Sequence, residues 1–583
     1  MLGVTQHGIH RFAHGAAGVV TGVLLVVTAV AMFHGSEALA AAVPATSAPA
    51  PASAPAPGPA AAQASAQAPA QAPAPAAVNP TKAPGSSPLG AGSAESSTAA
   101  PVPGDSVGAA DADFLAARAA FKRGDLAQLD SLATALTKHP LALYVRFWQL
   151  DSRVDTVGDD AIRSYLAQYR GTPPAGTLHV DWLKSLAKRG QWDAFAGAWP
   201  PPVEPDVELQ CDEIQYRVRR DGAAALGAAG PLWFTGASTP PACGPLFDAL
   251  IERGTLTLID RRDRMRLAVA AGNLRLAHAI ADAMPAGSRI TAREFAGIDR
   301  DPLRAVVRGH FSLKSLASRE LALYALDRAA RRDAAAARTG WLRWRGRLDA
   351  ADRDYGNLRV AWYAARELDP RADAWFDEVQ GDPAPQGSSD WRVWRVRAAL
   401  RAGDWEGVAR AIAALPKGEK LLPAWRYWRA RALAASGHAA DARTVYASFA
   451  GDVSYYGLLA AEARGAGRTA LANAATPPKS IDPAALVAFA ARSDVDRMQR
   501  LERLDLQSAS RREWHAALRG LDDTGLLVAS EYAKRTGLYD RAIYAADRTA
   551  TVFDPALRYL APWRSEFASA AREQGLDEEL LYG

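Results

Sequence analysis

At 583 residues, 49% of them hydrophobic, the chain exceeds what one ordinary core organises and calls for several domains or an array of stacked repeats. The formal net charge of +5 comes from Arg interleaved with Asp and Glu, the pattern of solvated helix faces rather than of a basic tail. No helix-turn-helix, zinc-finger or RNA-binding signature accompanies that charge, which excludes nucleic acid as the expected partner; a mildly basic surface suits an anionic wall polymer better.

In chain order, residues 1–40 come first as an address. Gly15 to Phe33 is uncharged and mostly apolar, Arg11 and several His precede it, and the small-residue triplet Ala38-Leu39-Ala40 follows. This is the order of a signal peptide, or of a membrane anchor if it stays uncleaved, and the membrane is a partner only in the second case. Residues 41–108 are dominated by Ala, Pro, Ser and Gly. Such a tract cannot bury enough apolar surface to offset its ordering entropy and reads as a disordered, semi-stiff linker.

From Asp111 a helical period takes over and repeats around one kind of hinge: a helix ending in a basic residue or Ala, then Gly, then a second helix. The hinges are FKRGDL at Gly124, LAKRGQW at Gly190, VAAGNLRLAHAI at Gly272, LRAGDW at Gly403, LAASGHAADAR at Gly437 and AKRTGLYDRA at Gly537. Glycine ends a helix in the left-handed conformation without a side-chain clash. The stretch from Gly403 to Gly437 has tetratricopeptide-like spacing, and elsewhere the period is irregular. The expected fold is all-α, a degenerate superhelix of helix pairs over 109–480, each pair buried against its neighbours. A further helical segment follows over 481–558.

The two cysteines, Cys211 and Cys243, are expected to form one disulfide in an exported chain, with a pair of free core thiols as the other reading. Tryptophans three residues apart at Trp341/Trp344, Trp391/Trp394 and Trp425/Trp428 share a helix face. They either stack on sugars or fill the space between repeats, and their apolar Ala/Leu setting favours packing.

Several stretches resemble the soluble lytic transglycosylases. HPLALYVRFWQL, with His139, Pro140 and Tyr144, resembles an early helix of that family, and Cys211 and Cys243 fall where the family places a disulfide. WRYWRARAL from Trp425, with SYYGLLAA at Tyr455 and Tyr456, is similar to the most diagnostic block of its superhelical domain; RLERLDLQSASRREWHAAL around Trp514 resembles its linker domain. The resemblance implies a superhelix closed into a ring by the linker, carrying a lysozyme-like domain that cleaves between N-acetylmuramic acid and N-acetylglucosamine. Its partners would be peptidoglycan glycan strands and other cell-wall enzymes, in the periplasm. That chemistry uses one glutamate as acid and then base, its pKa raised by an apolar setting.

The last stretch, 559–583, resembles the entry to the lysozyme-like domain through Pro562, Gly575, Leu576 and Asp577. Apart from Glu95-Ser96 inside the Ala/Pro/Ser/Gly tract, the family's Glu-Ser, Gly-Leu-Met-Gln and Ala-x-Tyr-Asn blocks do not occur in this sequence, and Glu566, Glu573, Glu578 and Glu579 do not align with the acid. The expectation is therefore a truncated chain with no catalytic residue, in which a helix from about Ser565 to Leu581 is left to fray. No HExxH, Walker A or strand-borne G-x-G-x-x-G pattern is present, and the G-x-S-x-G match from Gly104 to Gly108 lies in the Pro-rich tract rather than in a nucleophile elbow, so no metal or cofactor is expected.

Overall fold

In a computed structural model of the chain, the structure describes residues 108–388, 390–466 and 480–582. The chain divides into Met1–Ala100 and Pro101–Gly583, and all described residues belong to the second unit. The signal or anchor expected over 1–40, and the linker expected over 41–108 apart from Gly108, lie outside the described residues. Every regular element among those described is an α- or 3-10 helix, and no strand occurs. None of these helices is long and apolar enough to cross a membrane.

Local chemistry accounts for the pairs. Thr257 opens Leu258–Ala270 with a capping box, its hydroxyl accepting from Asp260 N while the Asp260 carboxylate accepts from Thr257 N. Gly272, at φ 77°, ends that helix, and Asn273 caps the next, Leu274–Asp282, by accepting from Leu276 N at 3.3 Å. All six hinge glycines have φ between 70° and 85°. The tetratricopeptide-like stretch forms Pro423–Ala435 and Ala439–Ala447, joined at Gly437.

There is no single core. Apolar clusters succeed one another along the chain, one spanning Leu150 to Leu209, the next Cys211 to Leu256, and the largest Met265 to Ala398. Between the first and last described helices, each repeat therefore buries its face mainly on its neighbours. Trp341 and Trp344 are fully buried and meet edge to face at 4.7 Å, with their indole N–H groups bonded to Asn357 Oδ1 and Val306 O. Gly356 admits the Trp341 ring, because a Cβ there would overlap its six-membered edge. Trp391 and Trp425 are buried as well, and Trp394 and Trp428 pack half-buried beside them. Cys211 and Cys243 are joined by a disulfide, with Cα atoms 5.1 Å apart inside their own apolar cluster.

Two expectations change. The interleaved charges are not all solvated: Arg266 is buried between Glu320 (2.9 Å) and Asp352 (2.6 Å), and Arg359 is buried on Asp327 (2.6 Å), which also accepts from Tyr363 at 3.1 Å. A guanidinium supplies several donors in a rigid fork, so one Arg can satisfy carboxylates from two neighbouring helices and remain buried. The second change is at the C-terminal end. The single helix expected from Ser565 to Leu581 breaks at Gly575, φ 65°, into Arg564–Gln574 and Glu578–Tyr582. These close on each other through stacked Phe567 and Tyr582, 4.5 Å apart, and an Arg564–Glu578 pair at 2.8 Å. Only Ala571 is buried there, while Leu576 and Leu580 stay exposed.

Candidate functional site

Helices from opposite ends of the described chain meet along one seam. Ala109–Arg123 and Ala142–Asp151 supply Phe114, Tyr144 and Trp148 to an apolar cluster that also takes in Leu501, Leu504 and Leu506. The leucines come from Ser493–Arg503 and the turn that leads into Gln507–Ala517. At the centre of the seam Glu513 is 0% exposed. It accepts from Tyr144 Oη at 2.7 Å and from Arg497 Nη2 at 2.9 Å. A buried carboxylate is tolerated only when such charge-assisted bonds replace its water. Burial, and then the Glu513 charge, raise the Tyr144 phenol well above its usual range, so it remains a donor.

Around this junction the packing leaves three adjoining clefts. The largest, about 1430 Å³, lies between Asp159–Gln168, Pro173–Lys188 and Trp192–Ala198 on one side and Gln507–Ala517 on the other. Arg170, Arg512 and Arg519 line it. Arg512 also borders a second cleft of about 630 Å³, shared with Arg118 and Trp148, and Arg170 borders a third of about 410 Å³. Arg519 donates to Gly171 O and thereby ties the end of Gln507–Ala517 to the turn before Pro173–Lys188.

The far wall is acidic. Lys184 bridges Asp206 (2.6 Å) and Glu208 (3.1 Å), and Asp181 is hydrogen-bonded to Asp151. Burial, followed by the charge of Asp181, pushes Asp151 up to about 7. Burial likewise raises Asp181, and carries Asp212, on Val207–Asp221, up to about 7. Burial depresses His179, whose Nε2 lies 2.8 Å from Ala198 O, and also depresses His515, where Arg548, Arg511 and Arg541 add repulsion. Among the described residues no group of three or more His, Cys, Asp or Glu is placed to hold a metal ion.

Most of the residues singled out from sequence do not converge here. The disulfide and the tryptophan pairs sit in repeat cores away from the seam clusters, and Glu566, Glu573, Glu578 and Glu579 lie on the two terminal helices. Tyr144 and His139, and the stretch around Trp514 that contains Leu501, Leu504, Leu506 and Glu513, were marked by sequence pattern and belong to the seam. Glu513 as the partner of Tyr144, and Arg170, Arg512 and Arg519 as neighbours, carry no local signal, because 369 positions separate the two ends of the Tyr144–Glu513 bond.

Comparison with known proteins fits this architecture. Residues 488–551 match the family model described as the soluble lytic murein transglycosylase L domain. The soluble lytic murein transglycosylases of Escherichia coli K12 and Salmonella typhimurium are each 25% identical over 422 residues, 72% of this chain. The match spans 64% of the length of those relatives. An inactive mutant of the lytic transglycosylase Slt from Pseudomonas aeruginosa superposes with a TM-score of 0.59 at 25% identity, covering 81% of this chain and 76% of that one. The 70 kDa soluble lytic transglycosylase of Escherichia coli, at 22% identity and a TM-score of 0.50, shares the fold. With its helical repeats, its matching L-domain segment and a similarity that runs through most of the described helices, the chain resembles the soluble lytic murein transglycosylases.

Proposed function

We propose that residues 1–583 provide the exported scaffold of a peptidoglycan lytic transglycosylase: a superhelical domain over 109–480 and a linker domain over 481–558 that hold glycan strands outside the cytoplasm. The observation that carries this reading is the seam, where the segment matching the L domain is locked onto the first superhelical helices through buried Glu513, Tyr144 and Arg497. The family reaction needs a glutamate held in an apolar pocket, poised to protonate the leaving oxygen. Neither Glu513 nor any terminal glutamate has that setting. Asp151 and Asp181 share a hydrogen bond with each other, Glu513 is saturated by two donors, and the terminal glutamates stand on exposed helices. In this reading the 583 residues bind the wall without cutting it.

Incubation of the purified chain with peptidoglycan sacculi, followed by chromatography of the soluble fraction, tests both halves. Co-sedimentation above that of an unrelated basic helical protein, with no anhydro-muropeptides released, is the expected result. Released anhydro-muropeptides would overturn the scaffold assignment, and absence of binding at moderate salt would overturn the wall assignment. Binding of other cell-wall enzymes in place of glycan is the second reading, favoured by the breadth of the cleft, which exceeds the 300–1,000 Å³ usual for small-molecule sites.

A further inference from the structure

We propose that the largest seam cleft is a binding site for a short zwitterionic peptide rich in carboxylates, the chemistry of a peptidoglycan peptide stem, with Arg170, Arg512 and Arg519 as its carboxylate-binding side. Three observations support it. First, these guanidiniums are gathered on one cleft without acidic partners, whereas Arg163 on the same cleft is paired with Asp160. Among the described residues neither Arg170 nor Arg512 makes an ion pair or hydrogen bond, and Arg519 bonds only a carbonyl. Like charges brought together in a concave, partly desolvated setting raise the local potential and attract an anion. Guanidinium forks suit the planar, two-oxygen geometry of carboxylates.

Second, the acids of the same cleft are unevenly available. Asp206 is occupied by Lys184, and Asp181 by Asp151. The two without a cationic partner, Asp193 and Glu204, stand on Trp192–Ala198 and the segment that follows it. The arginines stand instead at the turn around Gly171 and on the linker, with Arg519 reaching Gly171 itself. The cleft therefore presents carboxylate acceptors to an amine from one element and guanidinium donors to carboxylates from others, matching a peptide with several carboxylates and one free ammonium. Third, its volume of about 1430 Å³ accommodates a peptide of several residues, and the adjoining clefts at Arg118 and Arg170 leave room for a chain to continue.

Naming the stem as ligand rests on the wall assignment made above; the charge complementarity does not. The test uses the full chain and a fluorescently labelled tetrapeptide stem containing γ-linked D-glutamate and diaminopimelate, read by anisotropy, alongside sedimentation with sacculi. The wild type should bind the peptide with an affinity that falls as salt rises. The triple variant Arg170→Ala/Arg512→Ala/Arg519→Ala should bind at least tenfold more weakly. The single variant Arg512→Ala, whose side chain makes no bond in the fold, should show a smaller loss and separates binding from any folding defect. Equal affinity in wild type and triple variant, or tighter binding of inorganic polyphosphate than of the stem, would overturn the proposal. Peptide binding that depends on the arginines, combined with no sedimentation on sacculi, would overturn the wall assignment and leave the cleft assignment standing. Sacculus binding that is insensitive to all three substitutions would do the reverse.

Discussion

Replacing Tyr144 with Phe removes one hydroxyl from the middle of the seam and leaves Glu513 Oε1 without its 2.7 Å donor. Glu513 is wholly buried and Tyr144 is 4% exposed, so water cannot take over the bond without opening the junction. A hydrogen bond to a charged acceptor contributes about 1.5–3 kcal/mol. Leu501, Leu504 and Leu506 remain packed against the first described helices, and each buried leucine contributes roughly 1.5–3 kcal/mol. The apolar term wins, so Ser493–Arg503 and Gln507–Ala517 should stay docked in Tyr144→Phe while opening more often. Native-state hydrogen exchange is the suitable assay, because an array of stacked clusters need not unfold in one step. Amides of Ala142–Asp151 and of Gln507–Ala517 should lose protection together, by about ten- to a hundredfold for that range of energies. Unchanged exchange in Gln507–Ala517, with any effect confined to the neighbourhood of residue 144, would refute the idea that this bond couples the two ends of the chain.

Gly356→Ala should cost about 1–3 kcal/mol through overlap with the Trp341 ring, and Trp341→Phe in the same chain should recover part of the loss; additive melts would contradict that contact. Reduction of the Cys211–Cys243 disulfide, which closes a separation of 32 residues, should lower stability by about 3–4 kcal/mol on the chain-entropy argument, measured by denaturant titration with and without reductant. Asp151 is held near 7 in the folded protein against about 4 when unfolded, so the native state binds the extra proton. Its stabilisation is complete below about pH 4 and is lost as pH rises through 7. Asp151→Asn should therefore melt above the wild type at pH 8.5 and lose that advantage at pH 4.5, and an equal offset at both values would rule out titration of the Asp151–Asp181 pair.

Much of the helical layout was legible because its determinants are local. A hinge such as Gly272 followed by Asn273 states both where one helix ends and how the next is capped, and the six glycine hinges read from the sequence all adopt left-handed backbone. The tryptophan pairs were assignable to packing because their apolar setting repeats at helical spacing. Charge was read less well. Arg266 and Glu513 sit among other charged residues in sequence, where a solvated face is the ordinary outcome, and only partners on other helices let them, and Arg359, be buried. The terminal helix was drawn too long because its apolar spacing runs across Gly575, where the backbone turns left-handed and the second half folds back.

The amino-acid sequence by itself determined an all-helical chain of hinged pairs, the pairing candidates Cys211 and Cys243, and a likeness to one family, since each depends on composition, spacing or alignable pattern. Tertiary structure alone decided that Tyr144 meets Glu513, which carboxyls lie close enough to share a proton, and that Arg170, Arg512 and Arg519 face one cleft. The physical reason is distance along the chain: a helix period constrains neighbours three and four residues apart, whereas contacts across 369 residues arise only from how successive repeats stack.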